Sequence, residues 1–477
     1  MNINLKELTI EKAHADMKGG VYTPTDLANA YLSVIAEKNT DINAYVEVYP
    51  DVLDQAKRAE EMFANGNATL MTGIPMAIKD NMLRDGYIAS AASTILKNYK
   101  STYDSFVVKQ LKDAGAVFLG RANMDDAAMG SSTETSAYGP TKNPLNTDYV
   151  PGGSSGGSVA AVAMDGALVA LGSDTGGSIR QPAAFTNLVG FKPTYGAVSR
   201  SGIIAMASSL DQVGPIAKNV TDAEILFNAI NAHDPMDGTS APKELLSTID
   251  KSPIKKKIGI PREFLKGDGI DADVLKNFDE SCEKLKNAGY ELVDVSLPLI
   301  KYSLSVYYIV QPAEVSSNLG RYDGMRYGLN VEAGKLFDVY AKSRGQGFGK
   351  EVLRRIILGT YILSHGYYDA YYNTAVKVRE GIKKELADVF ADVDVIITPT
   401  TPTPPFKFGA KSKDPLSMYM SDLFCVPANI AGIPAISIPS GLSDDGMPLG
   451  FQMMAPHFRE DILFTIGKDF EREVLSR

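Results

Sequence analysis

The chain has 477 residues, with 48 Lys and Arg against 57 Asp and Glu, so its formal net charge is −9. This length permits about two to four domains, although a large α/β enzyme can also form one unit. The two cysteines and four widely spaced histidines exclude a framework of several disulfides and disfavour a zinc site built on these ligands. A magnesium site made of carboxylates alone stays open. The acidic balance disfavours a protein that binds nucleic acid by its own charge.

The sequence has no segment typical of secretion or membrane insertion. Its first residues lack a basic stretch followed by an apolar one, and the longest mildly apolar run, 159–171, is interrupted by Asp165 and Gly166. That run is shorter than the ~20 residues that span a bilayer. We therefore expect a cytoplasmic protein without membrane contact.

The N-terminal region has the pattern of helices over about its first 60 residues. Thr23 is followed by Pro24 and Asp26, which is typical of a capped helix start with a negative charge in its first turn. Apolar residues then recur at helical spacing as far as Ile35. Further along, the short apolar run 74–78 predicts a buried strand, and Lys79 follows it directly.

Two later segments, 106–119 and 275–295, share one pattern. Each has an amphipathic helix, a glycine that ends it (Gly115 and Gly289) and a short apolar strand. Helices that alternate with strands predict an α/β fold with a central mixed, largely parallel β-sheet covered on both faces by helices.

The segment 152–177 is dense in Gly, Ser and Ala, and several interpretations compete for it. Its apolar runs disfavour a flexible linker. A phosphate-binding loop would need a Lys-Ser/Thr pair that is missing, and the match of 152–156 to GxSxG lacks the strong strand that precedes a nucleophile elbow. The remaining interpretation is a serine hydrolase without histidine, in which Ser178 is the nucleophile and successive backbone N–H groups hold the oxyanion.

Such an enzyme needs another base, and a buried lysine is a candidate because burial lowers its pKa. Lys79 lies at the end of an apolar strand. A single lysine at a strand end is more often solvated or ion-paired, so the pattern alone leaves its role open.

Three segments resemble the amidase signature family closely. They are GIPMAIKDN (73–81), PGGSSGGS (151–158) and GSDTGGSIRQPAAFTNLVGFKPTYGAVSRSG (172–202). The resemblance implies a Ser–cis-Ser–Lys triad, in which Ser178 attacks a carboxamide carbon. Ser154, preceded by a cis peptide bond, passes the proton to Lys79, which is neutral in the resting enzyme.

The same resemblance implies how the reaction is supported. The backbone N–H groups of the loop would hold the oxyanion, and these donors are Thr175, Gly176, Gly177 and Ser178. Asp174 and Arg180 would order the loop without reacting. The products would be ammonia or an amine and an acyl-enzyme that water clears.

The rest of the chain resembles one branch of that family, the A subunits of the glutamyl-tRNA(Gln)/aspartyl-tRNA(Asn) amidotransferases. The matching segments are 314–319, 321–328, 349–356, 366–372 and 427–434. This resemblance implies a single amidase domain over 1–477. Its parts would be a helical N-terminal region (1–65), a signature core (73–220) and a C-terminal substrate-specificity portion (255–477).

In that branch the substrate is glutamine, whose carboxylate needs a cation and whose amino group needs a carboxylate. The matching positions are Arg355 for the carboxylate and Asp422 for the amino group. Tyr307 is a further contact, with the neighbouring Tyr308 as the alternative. A planar guanidinium suits a carboxylate because it can donate two parallel hydrogen bonds.

The resemblance also implies a heterotrimer with B and C subunits. The B subunit would receive the ammonia, use ATP and magnesium, and hold most of the mischarged tRNA. This chain itself is expected to bind no metal and no cofactor. Two alternatives remain: a stand-alone amidase for a small or aryl amide, and a catalytically silent scaffold.

Overall fold

The computed structural model describes residues 3–267 and 269–475, so residues 1, 2, 268, 476 and 477 of the predicted domain lie outside the described part. The strands in that part are β1 (Tyr45–Val48), β2 (Pro75–Lys79), β3 (Val117–Ala122), β4 (Val169–Asp174), β5 (Val189–Lys192), β6 (Gln212–Ala217), β7 (Lys257–Ile260), β8 (Glu291–Asp294), β9 (Val395–Pro399), β10 (Ala435–Leu442) and β11 (Pro448–Met454). These eleven described strands form one sheet in the order β1-β3-β2-β4-β6-β5-β10-β11-β9-β7-β8.

Helices precede, connect and flank these strands, which confirms the predicted α/β class. They are α1 (Ile10–Lys18), α2 (Pro24–Ile42), α3 (Val52–Ala64), α4 (Phe106–Asp113), α5 (Gly156–Ala163), α6 (Arg180–Phe185), α7 (Val220–Ile230), α8 (Lys243–Ser247), α9 (Ala272–Asn287), α10 (Ser303–Asn318), α11 (Leu336–Gly347), α12 (Lys350–Ile362), α13 (Thr374–Phe390), α14 (Pro415–Met420), α15 (Val426–Ala431) and α16 (Glu460–Leu475). Short 3₁₀ turns lie at Thr94–Leu96, Asp126–Ala128, Arg262–Lys266, Ile300–Tyr302 and Leu319–Arg321, and a π-helical segment at Tyr368–Asn373 leads into α13.

The sheet is mixed, as predicted, but it is not largely parallel. The parallel pairs are β2 with β3 and β4, and β7 with β8 and β9, whereas six pairings are antiparallel. The two helix–glycine–strand segments are the crossovers β2-α4-β3 and β7-α9-β8, and a helical crossover is what parallel neighbours require. Between these two units the sheet is built from antiparallel neighbours such as the β10–β11 hairpin. The helix–strand alternation thus predicts the pairing inside the two crossovers and not the pairing between them.

The N-terminal region contains the predicted helices and one strand that was missed. Thr23 caps α2 in a capping box with Asp26, and Pro24 occupies the first turn. Only four residues long, β1 pairs antiparallel with β3 at the sheet edge, so the region is not wholly helical. A strand this short carries little periodicity of its own.

The strands around the candidate site are buried throughout. Every residue of β2, β3, β4 and β6 is buried, and the small-residue helix α5 is buried over nearly its whole length. Because β2 and β4 are parallel neighbours, their C-terminal residues, Lys79 and Asp174, lie at the same edge of the sheet. No helix within 3–267 or 269–475 is long and apolar enough to cross a membrane.

Candidate active site

The side chain of Lys79 is enclosed by serines. Its residue is fully buried, and its Nζ lies 2.8 Å from Ser154 Oγ and 2.8 Å from Ser155 Oγ. Ser173 adds its hydroxyl at 3.0 Å and its carbonyl oxygen at 3.2 Å. The amine is therefore in direct contact with Ser154, as the proposed proton relay requires.

Burial lowers the pKa of Lys79 to about 7. Three carboxylates, Asp125, Asp174 and Asp211, oppose this shift because they favour the charged ammonium, but the loss of hydration is the larger effect. A lysine with this pKa is neutral in about half of the molecules at pH 7. It can accept a proton, which an ordinary surface lysine cannot do at that pH.

The turn that carries Ser154 is held by close backbone contacts. The Gly153–Ser154 peptide bond is cis, as the resemblance implied. Gly153 donates its N–H to Gln181 Oε1 at 2.9 Å, and Asp125 donates its N–H to the carbonyl oxygen of Ser154 at 3.2 Å. A Cβ on Gly153 would lie 2.1 Å from Asp125 Oδ2, so only glycine fits there.

The loop 175–178 joins β4 to α6 and carries Ser178. Ser178 is 9% exposed, and its carbonyl oxygen accepts the N–H of Ser155 at 3.2 Å, which ties the loop to the Ser154 turn. Gly177, at φ +133°, donates its N–H to Asp174 Oδ1 at 2.8 Å. Gly177 therefore shapes the loop, and its N–H is not available to an oxyanion in this conformation. The N–H groups of Thr175, Gly176 and Ser178 donate to no acceptor within the described protein.

A buried ion pair lies behind this loop. Arg180 contacts Asp174 through Nε and Nη2 at 3.0 Å each, and neither side chain is exposed. Arg180 also donates to Asn429 Oδ1 at 2.6 Å and to the carbonyl oxygen of Cys425 at 3.0 Å. The Arg180 guanidinium holds the pKa of Asp174 well below its usual range despite burial. The pair thus connects the loop to α15, in agreement with the ordering role expected for both residues.

Two of the predicted glutamine contacts lie against the same loop. The Tyr307 hydroxyl is 2.7 Å from the position that a Cβ on Gly176 would take, and Asp422 Oδ1 is 3.6 Å from the corresponding position on Gly177. Both side chains are buried. Burial raises the pKa of Asp422 to about 7, although Arg355 and a hydrogen bond from Ser131 counteract the rise.

Arg355 reaches this group through aromatic rings. Its guanidinium lies 5.4 Å from the ring centroids of both Tyr308 and Tyr419, which stack 3.9 Å apart, and its Nε donates to Glu351 at 2.8 Å. The Tyr308 hydroxyl is 3.5 Å from Asp422 Oδ2. Tyr308 therefore connects the two proposed anchors, whereas Tyr307 packs on the oxyanion loop, so both tyrosines belong to the site.

A cavity of about 370 Å³ opens next to this group. Its wall includes Arg355, Glu351, Tyr419 and Ser131, but not Ser178 or the other proposed glutamine contacts. Ser131 spans the two zones because its hydroxyl donates to Asp422 at 3.0 Å. The cavity is thus the approach to the candidate site from the α12 side. No group of three or more His, Cys, Asp or Glu arranged to hold a metal occurs in the described part of the chain.

The comparisons with known proteins agree with this geometry. The Amidase family profile matches residues 26–464, nearly the whole chain. The chain belongs to the amidase family. This amidase is 50% identical to the A subunit of glutamyl-tRNA(Gln) amidotransferase from Carboxydothermus hydrogenoformans over 98% of the chain and 97% of that protein. It is also 50% identical to the A subunit of the same name from Halothermothrix orenii, with 98% of each chain covered.

Solved structures give the same result for the fold of this amidase. The crystal structure of the glutamyl-tRNA(Gln) amidotransferase A subunit from Thermotoga maritima superimposes with a TM-score of 0.80 at 40% identity, covering 99% of this chain and 96% of that one. The native peptide amidase of Stenotrophomonas maltophilia superimposes with a TM-score of 0.78 at 27% identity, covering 99% and 98%. The fold is therefore shared by amidases with different names and substrates.

Sequence reasoning missed several polar residues around the amine of this amidase. Ser155 and Ser173 contact Lys79 about as closely as Ser154 does, and Asp125 supports the cis turn. Ser155 and Ser173 adjoin residues that the sequence did single out, Ser154 and the loop after β4. Asp125 gave no such signal, because only the folded backbone brings it to Gly153.

Proposed function

We propose that this chain is the glutaminase subunit of a tRNA-dependent amidotransferase. It hydrolyses glutamine and supplies ammonia to a partner subunit that amidates glutamyl-tRNA(Gln), aspartyl-tRNA(Asn) or both. The observation that carries the proposal is the placement of two buried groups of opposite charge, Arg355 and Asp422, on either side of Tyr308 and next to the loop of Ser178. This arrangement suits an amide whose other end bears a carboxylate and an ammonium.

The reaction begins with attack of Ser178 Oγ on the carboxamide carbon of glutamine. The Ser178 proton passes to Ser154, whose own proton passes to Lys79, and the oxyanion is held by the free N–H groups of Thr175, Gly176 and Ser178. Collapse breaks the C–N bond, and the leaving nitrogen takes the proton back through Ser154 and departs as ammonia. Water then attacks the γ-glutamyl ester by the same proton route and releases glutamate.

The three proposed specificity residues all lie in the portion 255–477, whereas the triad lies in 73–220. This division supports a shared chemistry combined with a separate recognition surface. Arg355 binds the carboxylate through its guanidinium, and Asp422, when ionised, binds the ammonium. Tyr307 and Tyr308 fill the space between the recognition groups and the loop.

The partner subunits follow from the names of the relatives. We propose a complex with B and C subunits in the cytoplasm, in which the B subunit uses ATP and magnesium and holds most of the tRNA. The net charge of −9 supports that division, because an acidic chain is poorly suited to hold a polyanion. The chain itself is proposed to bind no cofactor.

The test is glutamine hydrolysis by the purified chain, alone and with the B and C subunits. We expect glutamate and ammonia in a one-to-one ratio, a γ-glutamyl ester on Ser178 detectable by mass spectrometry, and no turnover by Ser178→Ala. As a comparison, hydrolysis of propionamide and benzamide identifies a stand-alone amidase. Faster turnover of these amides than of glutamine, with no response to the B and C subunits, would reject the proposal.

A further inference from the structure

The outer face of α12 continues into an apolar surface on the π-helical segment. Ile357 is 69% exposed, Leu358 39%, Tyr361 45%, Tyr367 41% and Tyr371 42%. We call these five residues the tyrosine patch. Isolated apolar side chains on a surface are ordinary, but a contiguous group of this kind marks an interaction site.

The patch is contiguous. The Tyr361 ring lies 4.3 Å from Tyr367 and 6.4 Å from Tyr371, and Tyr367 stacks on Tyr371 at 6.0 Å. Ile357 is one helical turn from Tyr361 on the same face. With about 150–250 Å² for a whole tyrosine, the three rings expose on the order of 200–300 Å² together. The two aliphatic residues bring the patch into the range of about 300–600 Å² that is typical of the largest, often functional, patches on monomers.

The patch is poor in charge. Between Arg355 and Lys377 the sequence carries one acidic residue, Asp369, one histidine, His365, and no lysine or arginine. Arg354, just before this stretch, forms an ion pair with Glu351. A surface that binds nucleic acid needs cations for the phosphates, so this composition favours a protein surface as the occupant. Tyrosine is also enriched among the residues that carry binding energy at protein interfaces.

The other face of α12 belongs to the candidate site. Arg355 points inward and is 4% exposed. Gly359 packs so tightly on α10 that a Cβ would lie 1.8 Å from the carbonyl oxygen of Pro312, and α10 also carries Tyr307. The patch and the proposed carboxylate anchor are therefore separated by about one helix diameter, roughly 10–12 Å.

From these observations we infer that the tyrosine patch is the docking surface of the protein subunit that consumes the ammonia. The inference rests on the proposed function, because only an enzyme that passes ammonia on needs an acceptor held close to its site. The patch fits an occupant with a complementary apolar, charge-poor surface. Docking there covers the helix that carries Arg355 and places the acceptor next to the source of ammonia.

The experiment compares two variants that each add negative charge to an exposed apolar position. Ile357→Glu combined with Tyr361→Glu changes the patch, and Leu442→Glu is the matched control, since Leu442 is 63% exposed on β10. Affinity for the purified B–C subcomplex is measured by isothermal titration calorimetry, together with the sedimentation of the chain alone. Glutamine hydrolysis by the isolated chain and its melting temperature report folding. Tyr367→Glu, on the segment outside α12, replaces the double variant if that variant melts early.

We expect the patch variant to bind the B–C subcomplex at least about 30-fold more weakly, as loss of central interface residues does, while Leu442→Glu binds like the wild type. Equal affinity of the patch variant and the wild type would overturn the inference and leave the glutaminase assignment intact. A wild type that neither binds the subcomplex nor hydrolyses glutamine would overturn both. A self-associating wild type that the patch variant makes monomeric, or loss of tRNA binding alone, with unchanged subcomplex affinity, would overturn the inference and assign the patch to a second copy or to RNA.

Discussion

Replacement of Lys79 by methionine isolates the contribution of the buried amine. The variant keeps the length and apolar volume of the side chain and removes Nζ, which lies 2.8 Å from Ser154 Oγ. A pKa of about 7 instead of 10.5 raises the neutral fraction at pH 7 from about 0.0003 to about one half, a gain of about 10³. General-base catalysis typically contributes about 10²–10⁴, so we expect kcat for glutamine to fall by a factor in that range.

The assay is glutamate release at saturating glutamine between pH 5.5 and 9. In the wild type, kcat should rise with pH around an apparent pKa near 7, because Lys79 becomes neutral as pH increases. A second buried lysine provides the control. Burial also lowers the pKa of Lys192 to about 7, but its Nζ donates to the carbonyl oxygen of Pro193 at 2.7 Å and contacts no serine within the described residues. Lys192→Met should therefore keep the wild-type pH profile of kcat.

Two results would refute this reasoning. Wild-type kcat in Lys79→Met would mean that the amine is not the base. A pH dependence that disappears in Lys192→Met and persists in Lys79→Met would assign the ionisation to the wrong lysine. Melting temperatures of both variants separate a catalytic loss from unfolding.

The remaining predictions concern recognition and the support of the loop. Arg355→Lys should raise KM for glutamine about 10-fold with kcat nearly unchanged, because one ammonium replaces a guanidinium that donates two parallel hydrogen bonds; a larger loss in kcat than in KM would contradict a binding role. In the wild type, KM should rise as pH falls below 7, because Asp422, with a pKa of about 7, becomes protonated and loses its attraction for the ammonium. Asp422→Asn should have a KM that is high at every pH. Arg180→Met should lower the free energy of unfolding in urea by about 3–5 kcal/mol because it leaves Asp174 buried without its partner, and a change below about 1 kcal/mol would show that the pair is dispensable.

The chemistry of the site was accessible from sequence because its parts are local. The strand that ends at Lys79 and the small-residue segment around Ser154 each require a particular residue type at a fixed place in the chain, so their pattern is visible without the fold. The glycines show why: Gly153 has Asp125 where a Cβ would be. A substitution there is excluded by contact with the backbone and carboxylate around the turn.

The parts that could not be predicted depend on contacts between distant segments. The antiparallel centre of the sheet joins β4, β6, β5 and β10, and no local period records which strands become neighbours. The same holds for the connection between Arg355, Tyr308 and Asp422, which come from α12, α10 and the residues before α15. Ser131 reaches Asp422 across 291 positions of sequence, so only the fold reveals it.

The Asp174–Arg180 pair has a consequence for selectivity. Through Asn429 and Cys425 it ties the oxyanion loop to the helix that follows Asp422, so the group that senses the amino end of the substrate and the donors that stabilise the transition state move as one body. A truncated amide that leaves Asp422 empty cannot use that attachment to settle the loop. It should therefore lose more in turnover than in affinity, because binding energy from the remote end of a substrate is expressed at the reacting carbon. Discrimination against wrong amides would then be kinetic: they enter and leave unreacted, and a comparison of kcat for propionamide and glutamine measures the difference.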